Sequence, residues 1–125
     1  MRNLTSIADQ PLIELWGETV RGRRIVGERI TFAVVELAPD ADVPEHHHPA
    51  EQLGMVVEGQ VEFTVGDETL TMGPGGTWRI PSETPHHVKA GPDGAVVIDV
   101  FAPTRDDWDA LPTVDGTRPR WPRIE

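Results

Sequence analysis

With 125 residues the chain is long enough to bury one hydrophobic core and too short for two, so a single domain over residues 1–125 is expected. A formal charge of −10, from 11 basic against 21 acidic residues, leaves no basic face for phosphates and argues against a nucleic-acid partner. Cysteine is absent, which excludes disulfides and thiolate metal sites, and no apolar run nears the roughly 18 residues of a membrane span, so a cytoplasmic protein without a membrane partner is expected.

Residues 1–10 carry no clear period. Leu12-Ile13-Glu14-Leu15-Trp16 predicts a first strand ended by Gly17, and the charged, glycine-broken stretch Thr19 to Arg29 predicts a hairpin. Ile30 to Leu37 is β-branched and apolar, a strand closed by Ala38-Pro39-Asp40. Gln52 to Val57 and Val61 to Val65 read as two strands joined by Glu58-Gly59-Gln60, and Gly66-Asp67-Glu68 turns into Thr69 to Met72. Thr77 to Ile80, His86 to Ala90 and Ala95 to Phe101 complete the set, and only Arg105 to Leu111 suits a short helix. Twelve glycines and twelve prolines punctuate these short runs, so the fold class is all-β, a barrel or sandwich.

All five histidines fall in two clusters. The first reads His46-x-His48-x3-Gln52-x6-Gly59, and the second reads Pro81-x4-His86 after Gly73-Pro74-Gly75-Gly76. Alternation along a strand puts His46 and His48 on one face with His47 turned away, and pairs His86 with Val88 while His87 points out. In the last strand Asp99 and Phe101 share a face and Ile98 and Val100 share the other. Both faces are largely apolar, so a second subunit is expected to cover the outer one, giving a homodimer.

Three imidazoles and an amide oxygen suit one divalent transition metal (zinc, nickel, manganese, iron or cobalt) and leave positions open for water or substrate. Glu51 replaces Gln52 as ligand if the loop register differs by one residue. A solvated histidine cluster without purpose is the plain alternative, opposed by the second cluster, the glycine-rich turn and the spacing to Gly59.

These residues resemble the cupins, small double-stranded β-helix jelly rolls with motifs G-x5-H-x-H-x3,4-E-x6-G and G-x5-P-x-G-x2-H-x3-N. The resemblance covers about residues 30–102 and leaves 112–125 as a C-terminal tail. His46, His48 and Gly59 fit the first motif, with Gln52 where glutamate is usual; Gly75, Pro81 and His86 fit the second, with Glu83 in place of glycine and Ala90 in place of asparagine. It implies a jelly-roll barrel followed by a short C-terminal helical turn.

A narrower resemblance joins that ligand set to the run Asp99-x-Phe101-x3-Arg105. The chain is similar to small cupins of pectin and alginate breakdown that convert 4,5-unsaturated uronates to linear keto acids. Their pattern implies His46, His48, Gln52 and His86 as metal ligands, with Asp99, Phe101 and Arg105 for activity on a small-molecule sugar acid or other carboxylate. Gln52 in place of a carboxylate leaves the ion its full charge, which favours polarising an oxygen over redox cycling. Asp99 is the candidate acid/base, Arg105 a carboxylate clamp and Phe101 the floor.

Plainer roles compete. Asp99 and Arg105 can form an ion pair at the barrel mouth, Phe101, Trp16 and Trp78 can simply pack, and Trp108 can anchor the short helix. Arg21 to Arg24 read as a solvated hairpin, and Pro112 to Glu125 either crosses a neighbouring subunit or is loose. An oxygen-using dioxygenase and a non-catalytic small-ligand binder are the alternative functions.

Overall fold

The computed structural model describes residues 2–123. It is built from β1 (Leu12–Glu14), β2 (Val20–Val26), β3 (Thr31–Leu37), β4 (Asp42–His46), β5 (Glu51–Val65), β6 (Glu68–Met72), β7 (Thr77–Ile80), β8 (His86–Ala102) and β9 (Thr113–Val114). The hydrogen-bonded order is β6-β5-β8-β3-β2-β1-β9, with β4 on β8 and β7 on β5. The all-β expectation holds. The ladder is nevertheless an open path among the described residues, not the closed barrel expected. Side-chain packing does the enclosing: residues of β2, β3, β4, β5 and β8, with Leu15 and Trp16 just after β1, line one common interior.

The predicted Thr19–Arg29 hairpin is instead the single strand β2, paired with β1 and β3, and its turn comes later, where the Gly27 N–H meets the Ile30 carbonyl. The expected C-terminal helix is a 3-10 turn over Asp106–Ala110, held by the buried Trp108. Five residues form too few hydrogen bonds to offset the cost of nucleating an α-helix.

The long pair β5 and β8 organises the molecule. Each was expected as two strands, and each runs through unbroken, with register shifts between Val56 and Glu58 and between Gly59 and Val61. A bulge moves side chains to the other face. Before it Gln52 and Val56 are buried while Leu53 and Met55 are exposed; after it Val61 and Phe63 are buried. On β8 the inward parity likewise switches from His86 and Ala90 to Ala95, Val97, Asp99 and Phe101. Both halves of both strands therefore face one interior. Gly59, at φ +79, makes this possible, because a Cβ there would strike the Gly94 carbonyl across the pair.

The core gathers Val20, Val35, Val43, Val61, Phe63 and Trp78 among others, with the Phe63 and Trp78 rings stacked at 4.5 Å. Arg23, expected in solvent, is 4% exposed and pairs with the buried Glu36 at 3.3 Å. The C-terminal tail closes over this pair within its own chain. Arg23 Nη2 donates to the Thr117 carbonyl at 2.6 Å, the Arg120 N–H donates to Glu36 Oε2 at 3.0 Å, and Arg120 Nη1 donates to the Leu37 carbonyl at 3.1 Å. These three arginine-bearing contacts tie residues 117–120 to their own chain, where the sequence left the tail 112–125 either loose or across a neighbouring subunit; residues 124 and 125 lie outside the described residues.

Glu36→Ala would leave the Arg23 guanidinium buried without its carboxylate, a change that costs about 3–5 kcal/mol. Urea unfolding should show that loss, and limited proteolysis should cut the tail faster; an unchanged midpoint would refute the strap.

Candidate metal centre

Three imidazoles converge at one end of the interior. His46 closes β4, His48 lies in the loop beyond it, and His86 opens β8 opposite His46 in register. Their potential ligand nitrogens all lie within 4.8 Å of one another. The shared direction of His46 and His48 was expected from strand parity, but His48 is outside the strand. Backbone hydrogen bonds aim it instead. His46 Nδ1 meets the Pro44 carbonyl at 2.8 Å, His48 Nδ1 the Ala50 carbonyl at 2.8 Å, and His86 Nδ1 the Thr84 carbonyl at 2.9 Å.

A carbonyl only accepts, so each Nδ1 carries the proton and each Nε2 presents a lone pair, the tautomer a metal ligand needs. Burial lowers the affinity of all three rings for a second proton, against the backbone hydrogen bonds that raise it, and the Arg105 charge adds to the lowering. His86 is pushed down to about 4. The trio is neutral at pH 7.

The loop carrying His48 is tied to the turn before β8, where the Glu83 N–H donates to the His48 carbonyl at 2.8 Å. Glu83 itself holds φ +62, the left-handed conformation that explains why the cupin motif expects glycine there. His47 and His87 turn away, toward Glu83 at 3.2 Å and Asp42 at 2.7 Å.

Gln52, at the start of β5, is buried and Glu51 is exposed, so the glutamine is the one that faces the imidazoles. Its Nε2 donates to Asp99 Oδ1 at 2.8 Å, which leaves Oε1 3.2 Å from His48 Nε2. Neither of those two atoms carries a hydrogen. Two lone pairs at that distance repel, whereas two ligands of one ion bonded at about 2.1 Å normally stand about 3 Å apart. The donor set therefore fits a divalent cation.

Asp99, on β8 and buried, also accepts from Trp78 Nε1 at 2.8 Å. Burial pushes its carboxyl up to about 6; the hydrogen bonds from Gln52 and Trp78 and the charge of Arg105 oppose the rise. Arg105 is not its ion-pair partner. The guanidinium binds Asp107 through Nε at 3.0 Å and Nη2 at 2.9 Å, and lies 4.7 Å over the Phe101 ring and 4.9 Å over Trp108. Phe101 is buried and still borders the cavity, its ring edge-on to His48 at 5.9 Å. All seven residues singled out from sequence, His46, His48, Gln52, His86, Asp99, Phe101 and Arg105, line the same pocket.

Two tryptophans depart from the simple packing expected of them. Trp16 is 42% exposed and stands at the rim with its ring 5.0 Å from His46, not packed in the core. Trp78 packs as expected but also supplies the hydrogen bond to Asp99. Its inward parity with Ile80 was readable; a partner two strands away was not.

Residues 33–101 match the family model described as a cupin domain, more than half the chain. The chain belongs to the cupin family. No curated protein matches it at a significant level. Solved cupin-like structures do. An RmlC-like cupin from Shewanella frigidimarina superposes with a TM-score of 0.78 at 19% identity, covering 86% of this chain and 96% of that one. KdgF from Halomonas sp. gives 0.77 at 23% identity, covering 86% and 98%. A variant of oxalate decarboxylase from Bacillus subtilis gives 0.70 at 23%, covering 79% of this cupin and 29% of that longer chain. At these identities the likeness establishes a shared fold.

Two results would test the centre. His48→Ala should weaken zinc binding by more than the roughly 10- to 100-fold that losing a ligand's supporting partner costs, and an unchanged stoichiometry and affinity would refute the set. In the metal-free protein, Asp99 lifted from 3.8 to about 6 holds its proton in the fold while the unfolded chain has lost it. Its contribution is complete below pH 3.8 and lost as pH rises toward about 6. Asp99→Asn should therefore gain on the native protein across that window and stay ahead by about 3 kcal/mol above it, read from paired thermal melts.

Proposed function

We propose that this cupin is a metal-dependent isomerase that opens the ring of a 4,5-unsaturated uronate or a closely related sugar acid. The observation that carries the reading is a single pocket uniting a neutral ligand set with a buried carboxyl and an arginine. His46, His48, His86 and Gln52 would hold one divalent ion, of an identity open among zinc, nickel, manganese, iron and cobalt. Bound there, the ion supplies Lewis acidity toward the substrate's carboxylate and ring oxygen.

Such a substrate is a cyclic enol ether whose C1 is a hemiacetal. Removing the C1 hydroxyl proton breaks the bond from C1 to the ring oxygen, leaving an aldehyde at C1 and an enolate at C5. Protonation at C4 then gives the ketone, so one proton moves from O1 to C4 and the composition is unchanged. Asp99 takes and returns that proton. Both of its protein hydrogen bonds fall on Oδ1, so Oδ2 is the oxygen assigned to the transfer.

Arg105 receives the substrate carboxylate. Asp107 occupies its Nε and Nη2 edge, which supports a fixed guanidinium offering the Nη1 and Nη2 edge to the pocket. Phe101 and Trp108 hold that guanidinium from beneath and exclude water. The similarity to KdgF agrees with the uronate reading through the fold alone.

The same proposal includes a homodimer. Ile25, Phe32, Leu53 and Met55 are exposed on the outer sheet face, where Phe32 and Leu53 flank Val100 on β8. A second copy would cover them, and sedimentation at the monomer mass would remove this element.

Metal-loaded protein mixed with the 4,5-unsaturated monouronate released by hydrolysis of unsaturated digalacturonate should abolish the ultraviolet band of the C4–C5 double bond faster than a protein-free control; no change over that control refutes the isomerase. Asp99→Asn should keep the metal and lose about 10²- to 10⁴-fold in rate. Since the base must be ionised, kcat/KM of the native protein should climb with pH and then level, with a midpoint below the metal-free value of about 6 because the bound ion's charge favours the carboxylate.

A further inference from the structure

Three adjacent strands set a row across the floor of the pocket: Asp99 on β8, Gly54 on β5 and Trp78 on β7, each opposite the next in register. The outer two side chains reach over the middle residue and join, Trp78 Nε1 donating to Asp99 Oδ1 at 2.8 Å. Only glycine permits this. A Cβ on residue 54 would overlap both the indole nitrogen and the carboxylate oxygen.

The same Oδ1 accepts the Gln52 amide N–H at 2.8 Å. Gln52 has two ways to lie. Turned as it is, Nε2 faces Asp99 and the carbonyl Oε1 faces the imidazoles; turned over, its N–H would point at the His48 Nε2 lone pair and no oxygen would be offered to a cation. The carboxylate decides between them because it accepts and cannot donate when ionised. It decides only if Oδ1 stays where it is, and the Trp78 indole, pinned by its stack on Phe63 with a 24° interplanar angle, keeps it there.

We infer that Trp78 and Gly54 are positioning residues that, through Asp99, fix the Gln52 amide with its oxygen toward the metal. This rests on the metal-centre reading above and adds to it a support three residues deep, on which none of the ligands' own backbone contacts depends. A phenylalanine at position 78 keeps the stack and loses the donor. The amide is then free to turn, and the centre keeps three imidazoles but holds its amide oxygen for only part of the time.

The experiment is a cobalt(II) titration at pH 7.5, followed by visible absorption and by competition with a chelator, on the native chain, Trp78→Phe, Gln52→Ala and the double variant, each first checked for folding by circular dichroism. Trp78→Phe should weaken cobalt binding about tenfold, the scale of a lost supporting partner, and change the ligand-field spectrum toward that of Gln52→Ala. With alanine already at position 52, adding Trp78→Phe should change affinity less than about twofold, the mark of two residues acting through one contact.

Equal losses with and without Gln52 would show that Trp78 acts by another route and overturn the inference. So would an unchanged affinity and spectrum in Trp78→Phe. A native chain that takes up no cobalt would instead overturn the metal reading, and this inference with it. If Trp78→Phe does not fold, the native chain carries the test by magnetic resonance: the Trp78 indole N–H should shift in step with zinc saturation, and a resonance indifferent to zinc would refute the link.

Discussion

The slip in register between β5 and β8 is the constraint from which the site follows. Without it, strand alternation would send His86 and Asp99 to opposite faces of one strand, because their positions differ by an odd number. The break near Gly59 and Gly94 restores a common direction, and its geometric requirement is a close approach of two backbones that no side chain could share. A pocket lined from five strands is what an open ladder achieves when its two longest members are bent at the same level.

Within that frame the site is organised by hydrogen bonds of one sense. Three backbone carbonyls take the Nδ1 protons of three histidines, and one carboxylate takes N–H groups from a glutamine and a tryptophan. Each bond leaves the opposite atom of its residue, Nε2 or Oε1, bare and turned inward. Burial keeps the rings neutral and makes the carboxyl reluctant to ionise, so one scarcity of water acts on the imidazoles and on Asp99 alike.

Much of this could be read from residues alone, for physical reasons. The histidine spacing, the glutamine four positions on and the aspartate, phenylalanine and arginine of the last strand are local patterns, and local patterns survive folding. Glu83 was seen only as a departure from the glycine of its motif, and its left-handed backbone became visible with the structure. What sequence hid was contact at long range. Arg23 looked like one of several solvated arginines because its partner Glu36 lies across a strand pair and its lid, Thr117, far along the chain. Trp78 looked like a packing residue because its acceptor is two strands away, and Gly54 carried no signal of its own within the predicted strand Gln52 to Val57. The two long strands were each divided in two because turn residues at a bulge resemble those of a true turn. The expectation of a closed barrel came from the motif and overstated the hydrogen bonding, since enclosure here is by side chains.

The four candidate ligands carry no charge of their own. An ion held by imidazoles and an amide would keep both of its positive charges, with Arg105 nearby and Asp99 one hydrogen bond removed, inside a molecule that is strongly negative as a whole. An anion would then be repelled at a distance and attracted on arrival. Its capture should quicken as ionic strength rises, since salt screens the far field of the surface more than the near field of a sheltered cleft, the reverse of the behaviour of enzymes whose surfaces draw their substrates in.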